Sequence, residues 1–187
     1  NEDQRFSKVV ILGHGEGSLA AMLAARDQPV KDIISINATS EQGDKLMTDI
    51  FKSKPQYLQD EFKTLLDSMK KGKTFDNVDL AMYPLVSTAK QKYLISYFKY
   101  PPLRVMKLMK VPTLIIQGTT DVQVSVADAE KLKKAKSDAT LIIIKGMNHI
   151  MKEAPADKDA NMETYANPTL PLKPELIPDI VDFIKKN

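Results

Sequence analysis

Apolar residues in this chain follow two patterns. Towards both ends they form short, mostly apolar runs: Val9 to Leu12, Ile33 to Ile36, Thr113 to Gln117 and Thr140 to Ile144. Runs of this length without alternation read as strands buried on both faces, the pattern of a parallel sheet covered by helices. From Glu41 to Lys110 the spacing becomes helical. Leu58, Phe62, Leu65, Leu66 and Met69 fall on one helix face, as do Leu46, Met47, Ile50 and Phe51 before them.

The segments between these runs fit the same picture. The first strand follows a polar lead-in, residues 1 to 7, and opens through a glycine-dense turn into an almost wholly apolar helix. Gln28-Pro29 breaks the pattern before the second strand, so the opening reads as a βαβ unit. Pro101-Pro102 ends a helix, and Val111-Pro112 introduces the third strand with proline where a strand tolerates it. Ser125 with Asp128 reads as a capping box for a helix to about Ala135. Residues 152 to 172 carry Pro155, Pro168 and Pro171 without periodicity and read as a long loop. A final amphipathic helix is expected to turn Ile177, Ile180, Val181 and Ile184 inward. The predicted class is α/β, a mostly parallel sheet of about four strands interrupted by a helical insertion. The expected organisation is 1-40, 41-110 (the insertion) and 111-187.

Composition narrows the function classes. A length of 187 residues with 43% hydrophobic content suits a soluble globular domain. The formal charge of +3 is too mild and dispersed for a nucleic-acid footprint. The insertion holds 13 basic and 8 acidic residues, with Lys70, Lys71 and Lys73 bunched, which reads as a solvated face. Its aromatics and methionines read as its own core; the alternative is the lining of an apolar pocket. With no cysteine there is no disulfide or thiolate metal site, and the compartment stays open. The longest apolar stretches, Leu19 to Ala25 and Leu141 to Ile144, are too short to span a bilayer.

The chemistry concentrates at strand ends. Gly13, His14, Gly15, Glu16 and Gly17 form the turn after the first strand; GTTD ends at Asp121 after the third, and GMNH ends at His149 after the fourth. Ligands of open parallel sheets sit at these carboxyl ends. The first turn resembles the nucleophile elbow of α/β-hydrolases, G-x-S-x-G in the wording Gly-His-Ser-x-Gly. Gly13, His14 and Gly17 match as elbow support, and Gly15 stands where the family places serine. The order of elbow, Asp, His is also the family's.

The resemblance implies a partial α/β-hydrolase fold with a helical cap and a serine hydrolase acting on a small-molecule carboxylic ester or small amide. It assigns Gly15 to the nucleophile position, Asp121 to the orienting carboxylate and His149 to the general base and acid. The Glu16 backbone N–H becomes one oxyanion donor. Because glycine has no nucleophile, the activity is expected to be absent or severely impaired. The alternative is a non-catalytic ligand-binding protein of hydrolase fold. Ser18, one helical turn beyond Gly15, is a weak substitute nucleophile. A dinucleotide loop fits poorly, since Ser18 and Asn37 occupy the final glycine and acidic positions of that fingerprint. No metal or cofactor is implied, and no nucleic acid or membrane partner. The resemblance covers the back half of a family member. The strand at 9-12 is therefore expected at a sheet edge, pairing with a missing N-terminal chain or with a second copy.

Overall fold

The four apolar runs form four parallel strands, β1 (Val10–His14), β2 (Asp32–Ile36), β3 (Thr113–Gly118) and β4 (Thr140–Ile144), in the spatial order β1-β2-β3-β4. The computed structural model describes residues 5–187; residues 1–4, the start of the polar lead-in, lie outside the described residues. The chain forms two compact units, one comprising the chain up to Ser40 with Pro102–Asn187, the other Glu41–Pro101.

In the first unit α1 (Glu16–Arg26) and α7 (Val126–Ala135) pack on the sheet, and α6 (Pro102–Lys107) packs against both helices. The opposite face, with Ile34, Ile36, Leu114, Ile116 and Ile144, is covered by Leu176, Ile180 and Phe183 of α9 (Leu176–Lys186). Strand alternation places Ile33 and Ile115, both buried, on the α1 side. The capping box of α7 is present, and Ser40 N and Oγ also bond Asp128 Oδ1, tying the exit of β2 to that helix. Burial pushes the Asp128 carboxyl up, but the hydrogen bonds from Ser125 and Ser40 outweigh it and hold it below its ordinary value.

The second unit contains α2 (Gly43–Phe51), α3 (Gln56–Lys70), the short α4 (Tyr83–Val86) and α5 (Thr88–Tyr97). Met47, Phe51, Leu58, Phe62, Leu65, Leu66, Met69 and Met82 form its core, with the Phe51 and Phe62 rings stacked at 4.0 Å. The buried Gln91 amide closes the 75–86 segment, accepting from Phe75 N and donating to Phe75 O and Val86 O.

Four expectations need correction. β1 and β4 are not buried on both faces: they are the sheet's edges, and Leu12 and Ile143 are 50% and 39% exposed. An apolar run reports burial on average; it does not say whether a strand has one neighbour or two. On α9 Ile177 and Val181 face outward, because the apolar arc from 176 to 184 is wider than the stripe one sheet face can cover. In α2, Ile50 is likewise exposed. The 152–172 segment is not plain loop. It contains α8 (Lys158–Glu163), capped by Asp157 accepting from Ala160 N, and a 3-10 turn at Thr164–Ala166. Two turns of helix are too short to show a period.

One buried charge is poorly served. Asp32, at the start of β2, has a fully buried side chain, neither oxygen has a hydrogen-bond partner among the described residues, and Lys31 Nζ stands 3.8 Å away. Burial raises its carboxyl above the ordinary 3.8, against the opposing pull of Lys31 and Lys8. The folded state therefore holds this proton more tightly than the unfolded state. The stabilisation it brings is complete below about pH 4 and is lost as pH rises through the raised value. Thermal melts from pH 4 to 8 should show the native chain losing stability relative to Asp32→Asn over that range, with the variant higher in Tm at pH 7.

Candidate functional site

The turn from β1 into α1 carries three glycines, of which Gly13 meets a steric demand, Gly15 a conformational one and Gly17 neither. A Cβ on Gly13 would lie 2.5 Å from Ser18 Cα and against Gly17 O, so α1 folds back onto the strand end only because that atom is absent. Ser18 fastens the approach, its buried hydroxyl donating to Gly13 O at 2.8 Å. That bond removes Ser18 from contention as a nucleophile: the hydroxyl points into the turn. Gly15 caps α1 with φ 54 and ψ −124, a conformation that side-chain-bearing residues rarely adopt. A Cβ on Gly17 would meet nothing within 4 Å.

Asp121 and His149 are brought together from the ends of β3 and β4. His149 Nδ1 lies 2.8 Å from Asp121 Oδ2, with the Asp121 side chain fully buried and the His149 side chain 13% exposed. Asp121 Oδ1 accepts from Gln123 N and Val124 N, and Oδ2 receives a longer contact from Gln117 Nε2. The carboxylate thus forms an Asx turn and faces the imidazole with its other oxygen. The far side of the ring points at Gly15: a Cβ there would lie 3.4 Å from His149 Nε2. A hydroxyl on that Cβ, hydrogen-bonded to Nε2, requires a Cβ to nitrogen distance of about 3.5 Å.

His14 does not face a proton-transfer position. Its Nε2 bonds the carbonyl of His149 at 2.7 Å, and the two rings sit 4.6 Å apart, tilted. Glu16 is the first residue of α1, so its N–H stands at the positive end of the helix dipole. Among the described residues no cluster of three or more His, Cys, Asp or Glu is arranged to hold a metal, and no helix is long and apolar enough to cross a membrane.

A set of buried amides around these residues was not legible in the sequence. Asn37, at φ 48 just after β2, bonds Gly118 N and the carbonyls of Asn148 and His149. Asn148 donates to Thr164 Oγ1 and accepts from Lys152 N, and Asn161 donates to Thr120 O and Pro155 O. The one available signal was position, and it covers two of them: Asn37 and Asn148 are polar residues in loops leaving strand ends, whereas Asn161 lies within α8.

No family model and no curated protein matches the chain. Solved structures do. The chain is similar to an esterase of Pyrococcus furiosus at 13% identity and TM-score 0.52, over all of this chain and 56% of that one. It is similar to a bromoperoxidase of Bacillus anthracis at 15% identity and TM-score 0.52, over 97% of this chain and 68% of that one. A Bacillus anthracis hydrolase of the α/β fold family aligns at 18% identity and TM-score 0.47, over 78% of this chain and 62% of that one. The chain therefore spans little more than half the length of the esterase. Its architecture is a partial α/β-hydrolase fold, a parallel four-stranded sheet with a helical insertion between β2 and β3.

The elbow glycines separate in a stability assay. Gly13→Ala forces backbone against backbone and should cost at least about 2 kcal/mol. Gly17→Ala, in open space on a helix, should be neutral or stabilising by up to about 1 kcal/mol. Urea unfolding of the two variants checks the contrast.

Proposed function

We propose that this chain carries the acid–base half of a carboxylic-ester or small-amide hydrolase site whose nucleophile position is glycine. The observation that carries the reading is the alignment of three points. Asp121 holds His149 Nδ1 at 2.8 Å. His149 Nε2 in turn faces the place where a Gly15 side chain would begin, 3.4 Å away. In a serine form, His149 Nε2 would take the hydroxyl proton as oxygen attacks the substrate carbonyl. Asp121 would keep the Nδ1–H tautomer and stabilise the imidazolium, and the proton would pass to the leaving alcohol or amine. The Glu16 N–H would be one oxyanion donor. With Gly15 the first bond cannot form on the protein, so hydrolysis is severely impaired.

A second reading is non-catalytic ligand binding on the same fold. The backbone of Gly15 favours it, because glycine is free of the strain that serine would bear at φ 54.

Gly15→Ser separates the two. The hydrolase reading expects covalent labelling of the new serine by a fluorophosphonate and a gain of at least about 10³-fold in short-chain ester hydrolysis, abolished by adding His149→Ala. The same substitution should cost about 1–3 kcal/mol of stability. A folded Gly15→Ser chain that neither labels nor hydrolyses leaves ligand binding as the function.

We propose further that the outer edge of β1 takes up an added strand, from a second copy or from polypeptide outside residues 1–187. Its support is the exposure of Val9 and Leu12 on an edge with no charged side chain from Val9 to Gly13. Sedimentation of the chain alone should show concentration-dependent association that Leu12→Lys abolishes; a clean monomer at high concentration counts against it.

A further inference from the structure

Asn37 stands where three strand ends meet. Its own N–H extends the β2–β3 ladder by one bond, to Ile116 O at 2.8 Å. Its φ of 48 then turns the chain off the sheet, in the left-handed region that asparagine tolerates better than most side-chain-bearing residues. The fully buried carboxamide lies across the carboxyl ends of the neighbouring strands. Oδ1 accepts from Gly118 N at 3.0 Å, the residue that opens the turn to Asp121. Nδ2 uses both hydrogens, on Asn148 O at 3.1 Å and His149 O at 2.9 Å.

This combination is selective. The site asks one side chain to accept from the β3 turn and to donate twice to the loop after β4, while its backbone holds a positive φ. Aspartate lacks the donors, leucine lacks donors and acceptor, and glycine meets the backbone demand alone. His149 is thus gripped by its carbonyl, from Asn37 at 2.9 Å and from His14 at 2.7 Å, and its ring is left to reach Asp121. The same amide fixes the turn that carries Asp121.

We infer that Asn37 is a positioning residue: it sets the β3 turn against the 148–149 backbone and thereby fixes the His149–Asp121 bond and the tautomer of His149. Its meaning for catalysis rests on the hydrolase reading above; its effect on the imidazole does not.

The test uses the whole chain with Gly15 in place. With only two histidines, the ring nitrogen and carbon-bound proton signals are readily resolved by NMR. In the native chain His149 should show a single tautomer, protonated at Nδ1. Asn37→Gly keeps the backbone conformation and removes the three side-chain bonds, and it should convert His149 to a tautomer mixture while signals from α9 stay in place. Leu132→Ala, chosen to lower stability from the buried α7 core, should leave the His149 tautomer unchanged and so separates positioning from general destabilisation. Should Asn37→Gly not fold, Asn37→Asp serves: it keeps the Gly118 bond, loses both donated bonds, and is expected to give the same mixture. In a Gly15→Ser background Asn37→Gly should lower kcat by about 10²-fold with little change in KM. A single Nδ1-protonated tautomer in either folded Asn37 variant overturns the proposal. A tautomer change in a chain whose Gly15→Ser form is inert supports the positioning role and removes the hydrolase reading instead.

Discussion

Four parallel strands deliver all their carboxyl ends to one edge of the sheet, where the loops leaving them carry backbone groups that the ladder no longer pairs. The molecule meets this demand mainly with neutral amides. Thr119 N and Thr120 N bond Ile144 O and Met147 O, and the remaining Gly118 N and the carbonyls of residues 148 and 149 go to Asn37. A buried amide both gives and accepts, without the desolvation cost of a charge. Asp121 is the charged member of this region, and its four hydrogen bonds, from Gln117, Gln123, Val124 and His149, offset that cost. The pair of Asp121 and His149 thus lies within the same hydrogen-bond network that satisfies the backbone at this sheet edge.

This explains what the sequence made legible. The strands, the parallel class and the helical insertion could be read because they rest on hydrophobic pattern, which is local. The capping box at Ser125 and Asp128 could be read because its partners are three residues apart. The three strand-end positions carrying Gly15, Asp121 and His149 followed from chain order and from the family wording around them. Edge and centre could not be read from the apolar runs, since β1 and β3 look alike in that pattern; the edge position of β1 followed only from the extent of the family resemblance, and that of β4 was not foreseen. The role of Asn37 was hidden for a related reason. Its partners lie 81, 111 and 112 residues away, and nothing local distinguishes it from an ordinary loop asparagine. The helix at Lys158–Glu163 shows the same limit, since its anchor, the Asn161 to Thr120 bond, crosses 41 residues.

The elbow carries two separable constraints. Close packing of α1 on β1 depends on Gly13, where an added Cβ meets backbone. The reversal of direction depends on Gly15, where the demand is conformational and a Cβ would find room. A serine at Gly15 would thus be held under strain of about 1–3 kcal/mol, a sizeable part of the roughly 5–15 kcal/mol that stabilises a domain. Glycine is free of that strain and offers no side chain to act as a nucleophile. Under the proposed hydrolase reading, stability and hydrolysis pull in opposite directions at this residue.

The same separation applies to the two partners. Asp121 has structural work of its own, because Oδ1 closes the turn through Gln123 N and Val124 N. Its presence is accounted for even in a chain with no chemistry. The His149 ring has less to do: the carbonyl is the part held by Asn37 and His14, while the imidazole bonds Asp121 through Nδ1 and tilts against His14. An apolar ring at that position could keep the aromatic contact and the backbone bonds, but it would leave the buried Asp121 Oδ2 with only the longer Gln117 contact. What it could not do is present a basic nitrogen to Gly15 while an acid orients the other side. The imidazole thus serves the fold through Nδ1, as a partner of the buried Asp121 carboxylate, and it is the direction of Nε2, towards Gly15, on which the proposed acid–base chemistry rests.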